Sequence, residues 1–429
     1  MVKFITMIVL LTLFLITYLA LLIFPKYKPW IALGMAGLFV LFDFVSVQDV
    51  VSDRMNWNVF MIIGGTMLVI QPFIDSGMPA KLADMLMEKV HHAKGAILAL
   101  SLFAGIVSAF VDNVATVLIV APIAIDVAKK LNRSPIPLVI AVSVFANIQG
   151  FATLVGDTTS VMLAGALDMS FFDFFWIEGR PGPFFIVQLG TIFSLGMLWY
   201  LLGKKNEPLE LHYKTNVKDM APTYFLLAIL GLLIAASFFD NLHALTNGFI
   251  TLGVGVSCLV YRIIQRRSLH GLLGDLKAVD TDTLLLLLGL FTLIIGLENG
   301  GVIYEMGRLF ESVSGDNVLI LYTLIVFVSV LASAFVDNIP YVATLLPVMM
   351  TLSNTLNIDP FLLLFGLLAG ATLGGNITPI GASANIAGIG LLKKQGYHVR
   401  VSDFLKIGLP ITLAAVLSSY IFIWLLFGM

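Results

Sequence analysis

The hexapeptide Ser108-Ala109-Phe110-Val111-Asp112-Asn113 recurs letter for letter as Ser333-Ala334-Phe335-Val336-Asp337-Asn338, each copy inside a long apolar tract. A carboxylate in hydrocarbon costs about 2.5 to 3.5 kcal/mol on the gentlest scale, so the chain must fold in a way that gives both aspartates a polar neighbour. Hydrophobic residues make up 59% of the 429, charged residues 12%, and the mean hydropathy is +1.00. This composition lies far from that of soluble domains and predicts an all-α integral membrane protein in contact with a lipid bilayer.

Adding 225 to a residue number carries the first half onto the second. It pairs Pro122 with Pro347, Gly150 with Gly375, Thr153 with Thr378 and Gly156 with Gly381, the signature of an internal repeat. The chain is read as a first repeat at 1–203, a cytoplasmic connector at 204–222 and a second repeat at 223–429. The first holds a hairpin near 96–129 and a broken helix near 137–167; the second holds a hairpin near 318–353 and a broken helix near 360–392. Each repeat is expected to have five transmembrane helices plus one re-entrant helical hairpin, with one discontinuous helix. An odd number of crossings makes the two repeats inverted.

Loop charge orients this topology, because cytoplasmic loops carry excess Lys and Arg. On this span assignment 20 of the 24 basic residues, Lys28 among them, fall on one side. Both termini are therefore expected on the outer side of a plasma or inner membrane. Each hairpin arm has about 16 residues, or about 24 Å of helix against a hydrocarbon core of about 30 Å, so the tips are expected to stay buried.

A buried helical tip leaves free amides and carbonyls that bind ions. Asn113 and Asn338 suit the cap of the outgoing arm, while Asp112 and Asp337 offer a carboxylate to a cation or proton. These four residues are the sodium candidates. A structural reading, in which the carboxyls serve as polar glue between helices, stays open beside it. The broken tracts supply Asn147, Thr153, Gly156, Asp157 and Thr158 in the first repeat and Asn376, Thr378, Ser383 and Asn385 in the second. Glycines with hydroxyl and amide residues are what an unwound helix needs at membrane depth, and such breaks in matching places point to a binding site near the midplane. Asp157, whose counterpart is Ala382, can also be read as a helix cap. Gln71 reads as an interhelical hydrogen-bonding residue, and Asp75 and Glu298-Asn299 as facing water or headgroups.

The paired tips and the stretch Leu373-Gly374-Gly375-Asn376-Ile377-Thr378-Pro379-Ile380-Gly381-Ala382-Ser383-Ala384-Asn385 resemble the ion transporter superfamily. The likeness is to its arsenite efflux and sodium/proton antiporter branch, which shares a citrate-transporter-like domain with the dicarboxylate carriers. The resemblance implies a homodimer in which a transport part, made of both hairpins and both broken helices, shifts like an elevator against a scaffold. It carries Asp112-Asn113, Asn147, Gly156-Asp157, Asp337-Asn338, Asn376, Ser383 and Asn385 over as site residues. The chain departs from the family in having Gln149-Gly150 and Thr158-Thr159 where paired glycines and paired prolines are usual. It also has aspartate at the tips where dicarboxylate carriers have serine.

No Lys, Arg or His lies on the segments equivalent to these, so an anionic substrate would need accompanying cations. Cation/proton antiport is therefore favoured. A sodium-coupled dicarboxylate or citrate-type symporter and an arsenite efflux permease are the alternatives, and an ion channel is the alternative of another class. Cys258 is the single cysteine, so no thiolate cluster is available for arsenic. No cofactor is expected beyond a coupling sodium ion or proton. No His-Glu-x-x-His or Gly-x-Ser-x-Gly pattern suggests an enzyme, and no basic run suggests nucleic acid.

Overall fold

The computed structural model describes residues 2–203, 207–208, 215–239, 245–266, 279–315 and 317–428. Lys204, Lys205 and Lys214 of the connector, with Arg267 and Lys277, lie outside the described residues. The fold is helical almost throughout; β pairing among the described residues is confined to an isolated bridge between His92 and Pro208 and two two-residue strands, Trp176–Ile177 and Arg180–Pro181. Arg180 fixes that turn, donating to Asp359 at 2.7 Å and to Glu178 at 2.9 Å while its guanidinium lies over the Phe427 ring.

The first half runs α1 (Val2–Ile23), α2 (Lys28–Leu41), the short α3 (Val47–Val51), α4 (Trp57–Asp75), α5 (Met78–Met87), α6 (Ala93–Ser108), α7 (Asn113–Lys130), α8 (Ile136–Ile148), α9 (Thr158–Ala166) and α10 (Pro183–Leu201). The second half runs α11 (Ala221–Ala236), α12 (Thr246–Arg266), α13 (Thr281–Asn299), α14 (Val302–Ser314), α15 (Val318–Ser333), α16 (Asn338–Leu356), α17 (Pro360–Gly374), α18 (Ser383–Lys394) and α19 (Val401–Phe427). Apart from α3, the described helices follow the same order in both halves. Pro122 and Pro347 lie inside α7 and α16, the two outgoing arms.

Among the described residues, 7 helices are long and apolar enough to cross a membrane. They include α1, α4, α10, α12, α13 and α19, and also the arm α16. By contrast α2, with 14 residues, and α11, with 16, reach only about 21 and 24 Å. The helices present bare apolar side chains outward, among them Phe4, Leu41, Tyr200, Phe249 and Leu331. So large an exposed apolar surface suits lipid and not water.

The halves interlock. Helix α4 packs along α12 and α13 along α2, so each of these two long spans is paired with a helix of the other half. Polar groups hold the first of these pairs: Asn58 accepts from the Gly248 amide at 2.8 Å, and the Thr251 hydroxyl reaches the Met61 carbonyl at 3.3 Å. In the core, α8 and α17 are buried along nearly their whole length, with α6 and α7 against the first and α15 and α16 against the second. That central position brings both helical breaks inside the protein.

Candidate functional site

The two tips are built alike. Helices α6 and α15 stop at Ser108 and Ser333, and the chain turns at Asp112 and Asp337 into the outgoing arms. The aspartates occupy the caps: Asp112 accepts from the Ala115 amide at 2.9 Å and Asp337 from the Ile339 amide at 3.4 Å. The expectation that Asn113 and Asn338 would be the caps is thereby corrected. Asp112 and Asp337 have the non-helical backbone of a cap, at ψ 139 and 135, whereas the asparagines are the first helical residues. Being one place further on frees their amides to reach the helical breaks.

Each break is pressed onto its tip. In the first half α8 ends at Ile148 and α9 begins at Thr158; in the second α17 ends at Gly374 and α18 begins at Ser383. Thr153 donates its hydroxyl to the Ala109 carbonyl, and Thr378 to that of Ala334. A Cβ on Gly156 would lie 2.5 Å from the Gly150 oxygen and 3.0 Å from that of Ala109; one on Gly381 would lie 2.6 Å from Gly375 and 2.8 Å from Ser333. Only glycine permits that approach. Ser160 and Asn385, again 225 apart, donate to the Gly150 and Gly375 carbonyls at 3.3 and 3.1 Å. These contacts answer the polar groups that unwinding sets free.

A chain of side-chain bonds then crosses between the halves. Asn113 donates to Asn147 at 2.9 Å; Asn147 in turn donates to the Thr372 carbonyl at 2.8 Å and to the Asn376 side chain at 3.2 Å. On the other side Asn338 donates to Asp157 at 3.3 Å, and Thr159 donates to the same carboxylate at 3.1 Å. Each tip asparagine thus bonds to the first break, one within its own half and one from the other half.

A cavity of about 250 Å³ opens where these parts meet. Asp112, Asn113, Asn147, Asp157, Thr158, Asn338 and Ser383 line it. The amino ends of α7, α9, α16 and α18 all border it, and each such end carries a partial positive charge. No Lys, Arg or His is among its described lining residues. Thr153, Gly156 and Thr378 stand behind the tips, and Asn376 and Asn385 are buried within the breaks.

Asp337 borders a second cavity, of about 230 Å³, with Tyr18 and Lys28. Ser383 lines both cavities. The hairpins and breaks themselves carry no basic side chain at the site, but one reaches the second tip from outside them: Lys28 Nζ lies 2.7 Å from Asp337 Oδ2. Read in sequence, Lys28 belongs to an interfacial turn, and its partner is 309 residues away.

Three residues of the first cavity carry no repeat signal. Asp280 caps α13 through the Thr283 amide and hydroxyl, at 3.0 and 2.6 Å, and both residues line the cavity. Gln71 lines it too, but its amide bonds Asp75 on its own helix at 2.9 Å, so the expected interhelical bond is corrected. Asp75 pairs with Arg262 at 3.2 Å, and Glu298 and Asn299 both accept from Arg54. Gln149 exchanges amide hydrogen bonds with Gln188 on α10 at 2.9 and 3.0 Å, which gives this departure from the paired glycines a structural role.

Comparison with known proteins agrees with this architecture. Residues 18–370 match the family described as Citrate transporter. An uncharacterised transporter of Mycobacterium tuberculosis is 29% identical over 413 residues, covering 93% of this chain and 94% of that protein. The P protein of Mus musculus is 26% identical over 467 residues, covering 89% of this chain and 55% of the P protein. The solved structure of the Alcanivorax borkumensis YdaH transporter superimposes with a TM-score of 0.61 at 15% identity, covering 91% of this chain and 89% of that one. At that identity the likeness is one of fold.

Proposed function

The chain belongs to the citrate transporter family and is a multi-pass membrane transporter, and on that footing we propose that it is a secondary active transporter driven by a cation or proton bound at the first tip. The observation that carries this reading is the meeting of Asp112 and Asp157 in one cavity with no basic side chain among its described lining residues. Two carboxylates in low dielectric require a compensating positive charge, and a sodium ion or proton supplies it at least cost. The amide oxygens of Asn113 and Asn147 add neutral ligands suited to sodium. Cation/proton antiport is the reading this charge balance favours.

A second reading, sodium-coupled movement of a carboxylate of the citrate type, is favoured by the four helix amino ends around the same cavity. Backbone amides at such ends attract carboxylates. Bound cations would offset Asp112 and Asp157 and leave those ends for the substrate. In both readings the second half is the first turned over in the membrane, each hairpin is re-entrant, and hairpins and broken helices move together as a dimeric elevator does. The matched element order and the cross-pairing of α4 with α12 and of α13 with α2 support this. The connector is assigned to the cytoplasm and both termini to the outer side.

Purified protein reconstituted in vesicles is the test, with sodium and pH gradients imposed and with citrate, succinate or no organic anion present. Sodium-dependent proton flux without an organic anion supports antiport, and flux that appears only with a carboxylate supports symport. Asp112→Asn and Asp157→Asn should abolish coupled flux in a folded protein. Undiminished flux in both variants would remove the first tip from the mechanism.

A further inference from the structure

The two tips share a sequence, a cap and a threonine clamp, yet their charges are balanced differently. Asp112 faces a cavity that also holds Asp157 and Asp280, with no basic group among its described lining residues. Asp337 faces Lys28. The pair lies at 2.7 Å with side chains only 22% and 17% exposed, so the ammonium sits where a dissolved cation would have to bind. Both carboxylate oxygens are engaged, Oδ1 by the Ile339 amide and Oδ2 by Lys28.

The placement of Lys28 is built into the corner between α1 and α2. Tyr18 on α1 hydrogen-bonds the Pro340 carbonyl and the Thr344 hydroxyl, fastening that corner to the second outgoing arm. Lys28 is the first residue of α2 and Pro29 follows it in the first turn, where a proline is harmless. Adding 225 to 28 gives Gly253, so the repeat supplies no equivalent ammonium to the first tip.

We propose that Lys28 is a tethered cation: its ammonium permanently fills the second tip, so that the protein takes up an exchangeable cation at the first tip alone. This rests on the reading of the tips as cation sites. A carboxylate left in this setting without its ammonium would be an uncompensated buried charge, and a small monovalent cation from solution would then be drawn to Asp337. Lys28 therefore sets the number of cations moved per cycle.

The test uses the full chain with sodium as the probe, replaced by choline to hold ionic strength, at alkaline pH. Thermal unfolding is followed in an Asp112→Asn background, which removes the first site. Adding Lys28→Met should create a sodium-dependent rise in unfolding midpoint. That rise should be absent from the background, from its Lys28→Arg derivative and from the triple variant that also carries Asp337→Asn. Equal sodium responses in the Lys28→Met double variant and the triple variant would overturn the proposal. Should the double variant not fold, Lys28→Met alone serves: the sodium dependence of its flux should steepen from a Hill slope of about one to about two, and an unchanged slope would overturn the proposal. Failure of the first-tip reading shows separately, as wild type and Asp112→Asn responding alike to sodium.

Discussion

Thr153 and Thr378, 225 residues apart, close the same joint in each half: each hydroxyl donates to the carbonyl of the alanine that follows the tip serine. Replacing either by valine keeps the shape and removes the donor, leaving a buried carbonyl short of a partner. Each substitution should cost about 1–3 kcal/mol. Thermal or denaturant unfolding in detergent measures the loss, and the two variants should be affected alike. A neutral result at both sites would show that the hydroxyls do not hold the breaks.

The glycines at the same joints should be less tolerant. Alanine at Gly156 or Gly381 places a methyl 2.5 or 2.6 Å from a backbone oxygen. No flexible side chain can yield there, so the cost should exceed the usual ~1–3 kcal/mol of overpacking. Yield of monodisperse protein, compared with alanine at Gly196, where nothing lies within 4 Å of the added atom, provides the check.

Asn147 is both acceptor and donor in the bond chain between the halves. Alanine there removes the acceptor of Asn113 and the donor to Thr372 and Asn376, at an expected cost of about 2–3 kcal/mol with loss of flux. Aspartate keeps the acceptor but sets a charge against two oxygens, so it should be the worse replacement. Unfolding midpoints of the two variants decide the order.

Outside the membrane spans, Asp49 offers a pH dependence. Hydrogen bonds from Ser46 and then Arg54 hold its carboxyl below the ordinary aspartate value. A depressed folded-state value contributes stability above the unfolded pKa, and that contribution is lost as pH falls through the folded one. Arg54 also grips Glu298 at 2.9 Å, so acidification should loosen the 46–54 loop from the end of α13. The protection of that segment against hydrogen exchange, with the intrinsic rate at each pH divided out, should fall at acidic pH, and Arg54→Ala should show the same low protection at neutral pH. Equal exchange in wild type and Arg54→Ala at neutral pH would refute it.

The parts of the site that show in the sequence are polar letters standing in apolar tracts. The tips and both breaks stand out because Asp112, Asn147, Asp157 and Asn376 are costly there and need a reason. Which residue caps each tip does not show, since Asp and Asn are nearly equal N-caps and only the backbone torsions separate them. Lys28 and Asp280 escape for another reason. Each sits beside the end of a span, where a charge is ordinary, and only tertiary packing carries it to the tips. The shortness of α2 and α11 is likewise hidden, because the apolar tracts run on past the helix ends at Leu41 and Ala236.

With Gly156 and Gly381 seated on bare carbonyls, neither broken helix can slide along its hairpin without the backbones colliding. Hairpin and break are therefore one stiff block in each half, and any reorientation must be absorbed elsewhere. The compliant seam is the one at the first tip, where Gln71 and Asp280 stand across the cavity from Asp112, so a crosslink placed there should freeze the cycle where one within the block would leave it running.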